Sequence, residues 1–178
     1  MQLDTTTALT LIVPESCWDK INSIRKEHDN AYPRWMPHVN FLFPFVPTEL
    51  FDEYHEKLQT ALAGFGDINL HFNKIGCFNQ KSNVTVNLQL SDEKDLQDLF
   101  KLITDTIPEV KSKHPEFHPH LTIGQFKKSE FDKKINELNN WLKADNGIKV
   151  TIDSIYMINR SKTDNNVPFS VNRTINLK

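Results

Sequence analysis

Two hydrophobic rhythms alternate along this chain, one of period two and one close to period 3.6. From Thr7 to Val13 the residues read as a strand, and Trp18, Ile21 and Ile24 then recur at helical spacing. A loop through Tyr32, Pro33 and Pro37 leads to an apolar strand segment from His38 to Phe45. Thr48 stands where a helix would be capped, with Phe51, Tyr54, Leu58 and Leu62 on one face and Gly64 as its stop. Ile68, Leu70 and Phe72 then alternate like a half-buried strand running to Gly76.

The same order repeats. Val84, Val86, Leu88 and Leu90 alternate, and Ser91 caps a helix with Leu96, Leu99, Phe100 and Ile103 on one face. A loop with Pro108, Pro115 and Pro119 leads into a strand from His120 to Phe126. Ser129 precedes a helix bearing Phe131, Ile135, Leu138 and Leu142, ended by Asn146-Gly147. Ile148 to Ile158 reads as one long strand and Val171 to Leu177 as a last one.

The two runs superimpose by element order. Their first strands begin at residues 7 and 83, their histidine-led strands at 38 and 120, their helix caps at 48 and 129, and their following strands at 68 and 148. The offsets therefore stay between 76 and 82 residues. A duplicated β-α-β-α-β unit accounts for this. The competing account is a chance likeness of two ordinary α+β stretches. The expectation is a single α+β domain over residues 1–178, with lobes of approximately 1–80 and 81–178.

Composition narrows the classes. With 38% hydrophobic residues and 12 Phe, the chain has material for a sizeable core. A net charge of −2 is unlike that of a protein that coats nucleic acid, so any nucleotide would be held by local groups. Cys17 and Cys77 form no CxxC and read as two free thiols in a reducing compartment. No apolar run approaches the ~18 residues of a membrane span. Met1 to Thr10 carry no basic n-region of a secretory signal. Cytoplasmic residence, with the nucleus as alternative, follows as the expectation, with no obligatory protein partner and a monomeric state.

The halves match best at Pro37-His38-Val39-Asn40-Phe41 and Pro119-His120-Leu121-Thr122-Ile123. Alternate residues of a strand share a face, so His38 projects with Asn40 and His120 with Thr122. If the halves pack about a pseudo-two-fold, two imidazoles and two short polar groups meet in one cleft. That set suits phosphodiester chemistry. One neutral imidazole takes a proton from the attacking oxygen and one imidazolium protonates the leaving oxygen. The Asn40 amide and Thr122 hydroxyl can donate to the non-bridging phosphate oxygens. This chemistry needs no metal and no cofactor.

The paired HxTx-like motifs in a duplicated chain resemble the two-histidine (2H) phosphoesterase superfamily. That group includes the 2′,5′-RNA ligase-like proteins, the cyclic phosphodiesterases and the anchoring-protein-like central domains. The resemblance covers nearly the whole chain and is most specific at Pro37–Phe45 and His118–Phe126. It implies two antiparallel-sheet lobes lining a V-shaped central cleft with helices outside. It also implies His38 and His120 as the catalytic pair, with Asn40 and Thr122 at the phosphate-contacting places. Asn40 departs from the usual Thr or Ser of the first motif, which bears on substrate preference, although similar members carry Asn there.

Around this core, Arg160 is a possible phosphate contact or an exposed surface arginine, and Tyr32 and Trp35 are possible base-stacking contacts. Phe45 also flanks the motif but reads as core, while His28, His55, His71 and His114 read as solvated or helix-face residues. The expected activity is a metal-independent phosphodiesterase acting on a nucleotide or short RNA. The substrate would be a 2′,3′-cyclic phosphate, a 2′,5′-linked oligonucleotide or an RNA end. Two alternatives stand beside it. One is a non-catalytic module binding nucleotides or RNA ends; the other is a zinc hydrolase using His114, His118 and His120.

Overall fold

The computed structural model describes residues 1–112 and 116–178. Eight strands and four α-helices follow in the order β1 (Thr7–Ile12), α1 (Trp18–His28), β2 (His38–Leu42), α2 (Phe51–Leu62), β3 (Ile68–Asn79), β4 (Asn83–Leu90), α3 (Lys94–Thr106), β5 (Leu121–Lys127), α4 (Lys128–Lys143), β6 (Ile148–Ile152), β7 (Ser154–Asn159) and β8 (Ser170–Asn176). Both sheets are antiparallel and four-stranded, in the orders β2-β1-β7-β8 and β5-β4-β3-β6.

The helix faces follow the apolar spacing. In α2, Phe51, Tyr54, Leu58 and Leu62 are buried, and in α3 Leu96, Leu99 and Ile103. These join the strands' inward residues in one core shared by both sheets. The expected caps did not form. Thr48 opens a 3-10 turn ahead of α2. Before α3 it is Asp92, not Ser91, that accepts from a first-turn amide, that of Lys94, at 3.0 Å. At the end of α4, Asn146 (φ 56°) and Gly147 (φ 79°) turn left-handed, and the Gly147 amide donates to the Leu142 carbonyl at 2.9 Å.

One expectation is corrected. The stretch from Ile148 to Ile158 is two strands, parted at Asp153 and belonging to different sheets. β6 pairs with β3, whereas β7 crosses to pair with β1. Each sheet thus draws strands from both halves, so the division near residue 80 marks the sequence repeat, not the border between sheets. The exchange is itself two-fold. Ile68 faces Ile152 and Phe72 faces Ile148, so a shift of 80 residues maps this ladder onto itself about Leu70 and Val150. No helix among the described residues is long and apolar enough to cross a membrane.

Candidate active site

β2 and β5 are the edge strands of their sheets, and each is paired on one side only, to β1 and β4. The registers are equivalent. Leu11 faces Val39 and Thr10 faces Asn40 in the first sheet; Leu88 faces Leu121 and Asn87 faces Thr122 in the second. Both pairs then slip by one residue at the same place, between Leu9 and Thr10 and between Val86 and Asn87. The extra residues are Phe41 and Ile123, each immediately after the polar companion of a histidine. Such bulges bend an edge strand and re-aim its side chains. Here they act identically on the two histidine motifs.

Each imidazole is anchored in the same way. His38 Nδ1 lies 2.6 Å from the carbonyl of Met36, and His120 Nδ1 lies 2.7 Å from the carbonyl of His118. A carbonyl only accepts, so Nδ1 carries the hydrogen in both rings and proton exchange falls to Nε2. The two strands approach each other, with Phe41 stacked on Phe117 at 5.6 Å, and the charge of His120 acts on His38.

The surroundings of the two rings differ. Trp35 stacks on His38 at 4.6 Å and is itself backed by Phe169 at 3.9 Å. Burial lowers the His38 pKa from 6.5 to about 4; the Met36 carbonyl and Asp29 oppose this, while Arg25 and His120 add to it. Arg25, 1% exposed, forms an ion pair with Asp29 at 2.8 Å and donates to the Trp35 carbonyl at 2.9 Å. The pair thereby fixes the loop that carries Trp35. Its other end reaches the second sheet, where Gln125 of β5 accepts from the Asn30 amide at 2.9 Å and donates to Asp29 at 3.5 Å. His120 instead meets the edge of Phe78 at 4.9 Å, and Phe78 is 40% exposed.

His38, Asn40, Thr122 and, just ahead of β5, His120 stand where their motifs place them, each half-buried. Trp35 presents its face to His38 and Phe169. Tyr32 is exposed beside Arg25, whose guanidinium lies 5.8 Å from its ring. Arg160 sits over Phe169 at 4.9 Å and donates to the Asn165 carbonyl, a layer behind Trp35. Phe45 is core, fully buried. His28 is a half-buried helix-face residue of α1: it stacks on Phe126 at 4.2 Å, over Gly124, where a Cβ would collide with its own. His55 and His71 bond to the carbonyls of Thr174 and Asn146, and His118 is exposed. His114 lies outside the described residues, and among those described no group of three metal-ligating side chains occurs. Sequence reasoning missed Phe78, Thr10 and Asn87. Strand pairing sets Phe78 against His120, Thr10 opposite Asn40 and Asn87 opposite Thr122, which a one-dimensional pattern does not display.

Two pseudo-symmetric sheets, each presenting a histidine and a polar companion, define a 2H phosphoesterase. The chain belongs to the 2′-5′ RNA ligase superfamily, whose family model matches residues 13–164. It is similar to a Staphylococcus haemolyticus protein provisionally named a phosphoesterase, 32% identical over 118 residues, which are 66% of this chain and 69% of that one. In fold it is similar to TT0787 of Thermus thermophilus (TM-score 0.63, 13% identity, covering 96% and 97% of the two chains). It is likewise similar to Escherichia coli LigT in complex with 3′-AMP (TM-score 0.59, 16% identity, 97% and 98%).

Proposed function

We propose that the protein is a metal-independent phosphodiesterase acting on a nucleotide phosphodiester, with His38 as general base and His120 as general acid. The matched anchoring carries this reading: both Nδ1 atoms are tied to the carbonyl two residues upstream, so both rings offer Nε2 for proton transfer. The division of roles rests on the environments. His38 is held neutral near pH 7 chiefly by burial, the effect of Arg25 being opposed by Asp29, which suits a base. The crystallisation of LigT with 3′-AMP supports a nucleotide substrate.

On a 2′,5′ linkage the neighbouring 3′-hydroxyl attacks phosphorus as His38 takes its proton. The bond from phosphorus to the 5′-oxygen breaks, His120 protonates that oxygen, and a 2′,3′-cyclic phosphate remains. On a cyclic phosphate, water replaces the hydroxyl and one ribose ester bond opens by the same exchange. Asn40 and Thr122 donate to the non-bridging oxygens as charge builds there. The test is turnover of 2′,3′-cyclic nucleotides and 2′,5′-dinucleotides with a chelator present. His38→Ala and His120→Ala each lower kcat by about 10²- to 10⁴-fold. Unimpaired turnover in either variant sinks the assignment, and tight nucleotide binding without product points to a binding module instead.

A further inference from the structure

Below the two motifs lies a feature that the reaction so far does not use. Thr10 and Asn87 are both 0% exposed, and the Thr10 hydroxyl and both polar atoms of the Asn87 amide lack hydrogen-bond partners among the described residues. So does Asn40 Oδ1. A buried polar group left unpaired costs about 1–3 kcal/mol. Sites that carry such groups call for a reason.

The registers locate the reason. Thr10 stands directly opposite Asn40 and Asn87 directly opposite Thr122, at equivalent places beside equivalent bulges. Residues directly opposite on neighbouring strands share a face, so both orphaned groups lie under the cleft, next to the polar companions of the histidines. Asn40 Oδ1 is buried beside this floor without a partner among the described residues, and the same amide carries an NH2 donor. A threonine hydroxyl rotates freely between donor directions, and an asparagine amide both donates and accepts. The framing on either side differs. Tyr156 flanks Thr10, whereas 80 residues earlier Gly76 flanks Asn87 and leaves its room to the Gln89 side chain.

We propose that Thr10 and Asn87 are a symmetry-related pair of positioning residues, a second polar layer whose unpaired groups take up hydrogen bonds to Asn40 Oδ1 and to the Thr122 hydroxyl when a phosphate occupies the cleft, and so orient the Asn40 amide and the Thr122 hydroxyl toward it. They act through those companions and do not themselves touch substrate. The idea rests on the phosphodiesterase reading, and it explains why polar groups persist where apolar ones would pack at lower cost. Thr10→Val and Asn87→Leu keep shape and remove polarity, so their thermal midpoints stay level or rise. Their kcat on a 2′,3′-cyclic nucleotide falls by about 10- to 100-fold, as misaimed groups do, while KM stays within about twofold. Thr10→Ser restores the rate to within about threefold. Asn87→Thr, shorter but polar, replaces Asn87→Leu if the latter fails to fold, and gives an intermediate loss.

Folded Thr10→Val and Asn87 variants that turn over within twofold of wild type overturn the proposal. A wild-type protein that turns over no phosphodiester refutes the activity alone. The floor is then judged by 3′-AMP binding, which Thr10→Val and Asn87→Leu weaken at least fivefold if the layer orients the phosphate contacts. Unchanged affinity overturns it.

Discussion

The His38 and His120 sides share a backbone and differ in everything laid over it. Register, bulge and Nδ1 anchor are duplicated residue for residue. Yet Trp35 covers His38 face-on with Phe169 and Arg160 behind it, while His120 lies in a T-shaped contact with the exposed Phe78. Eighty-two residues after Trp35, the corresponding Phe117 stacks on Phe41 and Phe100, not on a histidine. The repeated backbone thus delivers two equivalently anchored imidazoles, and the side chains packed on it give them unlike surroundings. Burial weakens proton binding at His38, and the ring beside His120 is an exposed one.

The largest effect comes from breaking what holds the covered side. Arg25→Met leaves Asp29 buried without its partner and frees the Trp35 carbonyl. A loss of about 3–5 kcal/mol is expected, read in a chemical or thermal melt. No ion pair among those described on the His120 side matches it, since the Glu116 and His118 pair is exposed. A change under about 1 kcal/mol would mean that Arg25 and Asp29 contribute no more than a surface pair.

How far the sequence could be read follows the same division. The two histidines, their companions and the faces of α2 and α3 were legible because period and repeat lie along the chain. The parting at Asp153 was not: Asp153-Ser154 interrupts the apolar pattern of Ile148 to Ile158 by only two residues, and the packing sends β6 and β7 to different sheets. Thr48, Ser91 and Ser129 have the chemistry of caps, but neighbouring residues start those helices. Phe78 lies beyond the strand read from sequence to Gly76; β3 runs on to Asn79, and its pairing with β4 brings the Phe78 ring against His120. His28 shows a helix-face position in sequence, and its stack on Phe126 depends on α1 packing against a strand nearly a hundred residues away.

The next contrast sets Phe78 against Trp35. Phe78→Ala removes an exposed aromatic beside His120, and base stacking is worth about 1–3 kcal/mol per base. KM for a cyclic nucleotide therefore rises about 5- to 100-fold with kcat little changed. Trp35→Leu acts instead on proton affinity. In the wild type His38 binds protons more weakly folded than unfolded, so the rate's acid limb lies below 6.5 and toward about 4. By the same sign, stability is retained above pH 6.5 and lost as pH falls from there toward about 4. Uncovering the ring moves the acid limb up toward 6.5 and softens this acid loss. An acid limb that stays put in Trp35→Leu would show that the tryptophan does not set His38, and equal KM effects in both variants would erase the contrast.

The smallest effect tests the link between the sides. Gln125 of β5 reaches the Asn30 amide and Asp29, so it joins the open half to the loop that covers His38. Its counterpart 82 residues earlier is Phe43, exposed and edge-on to Trp35, which makes no such bond. Gln125→Ala removes one good hydrogen bond and one long one, about 1 kcal/mol at most, since solvent reaches Asn30. The midpoint of thermal unfolding then drops by about 2–4 °C. The informative readout is the acid limb of the rate, because the strap also steadies Asp29 beside Arg25. If Gln125 only lends stability, the melt shifts and the limb does not. If it keeps the cover seated on His38, the limb moves in the direction seen for Trp35→Leu, by a smaller amount.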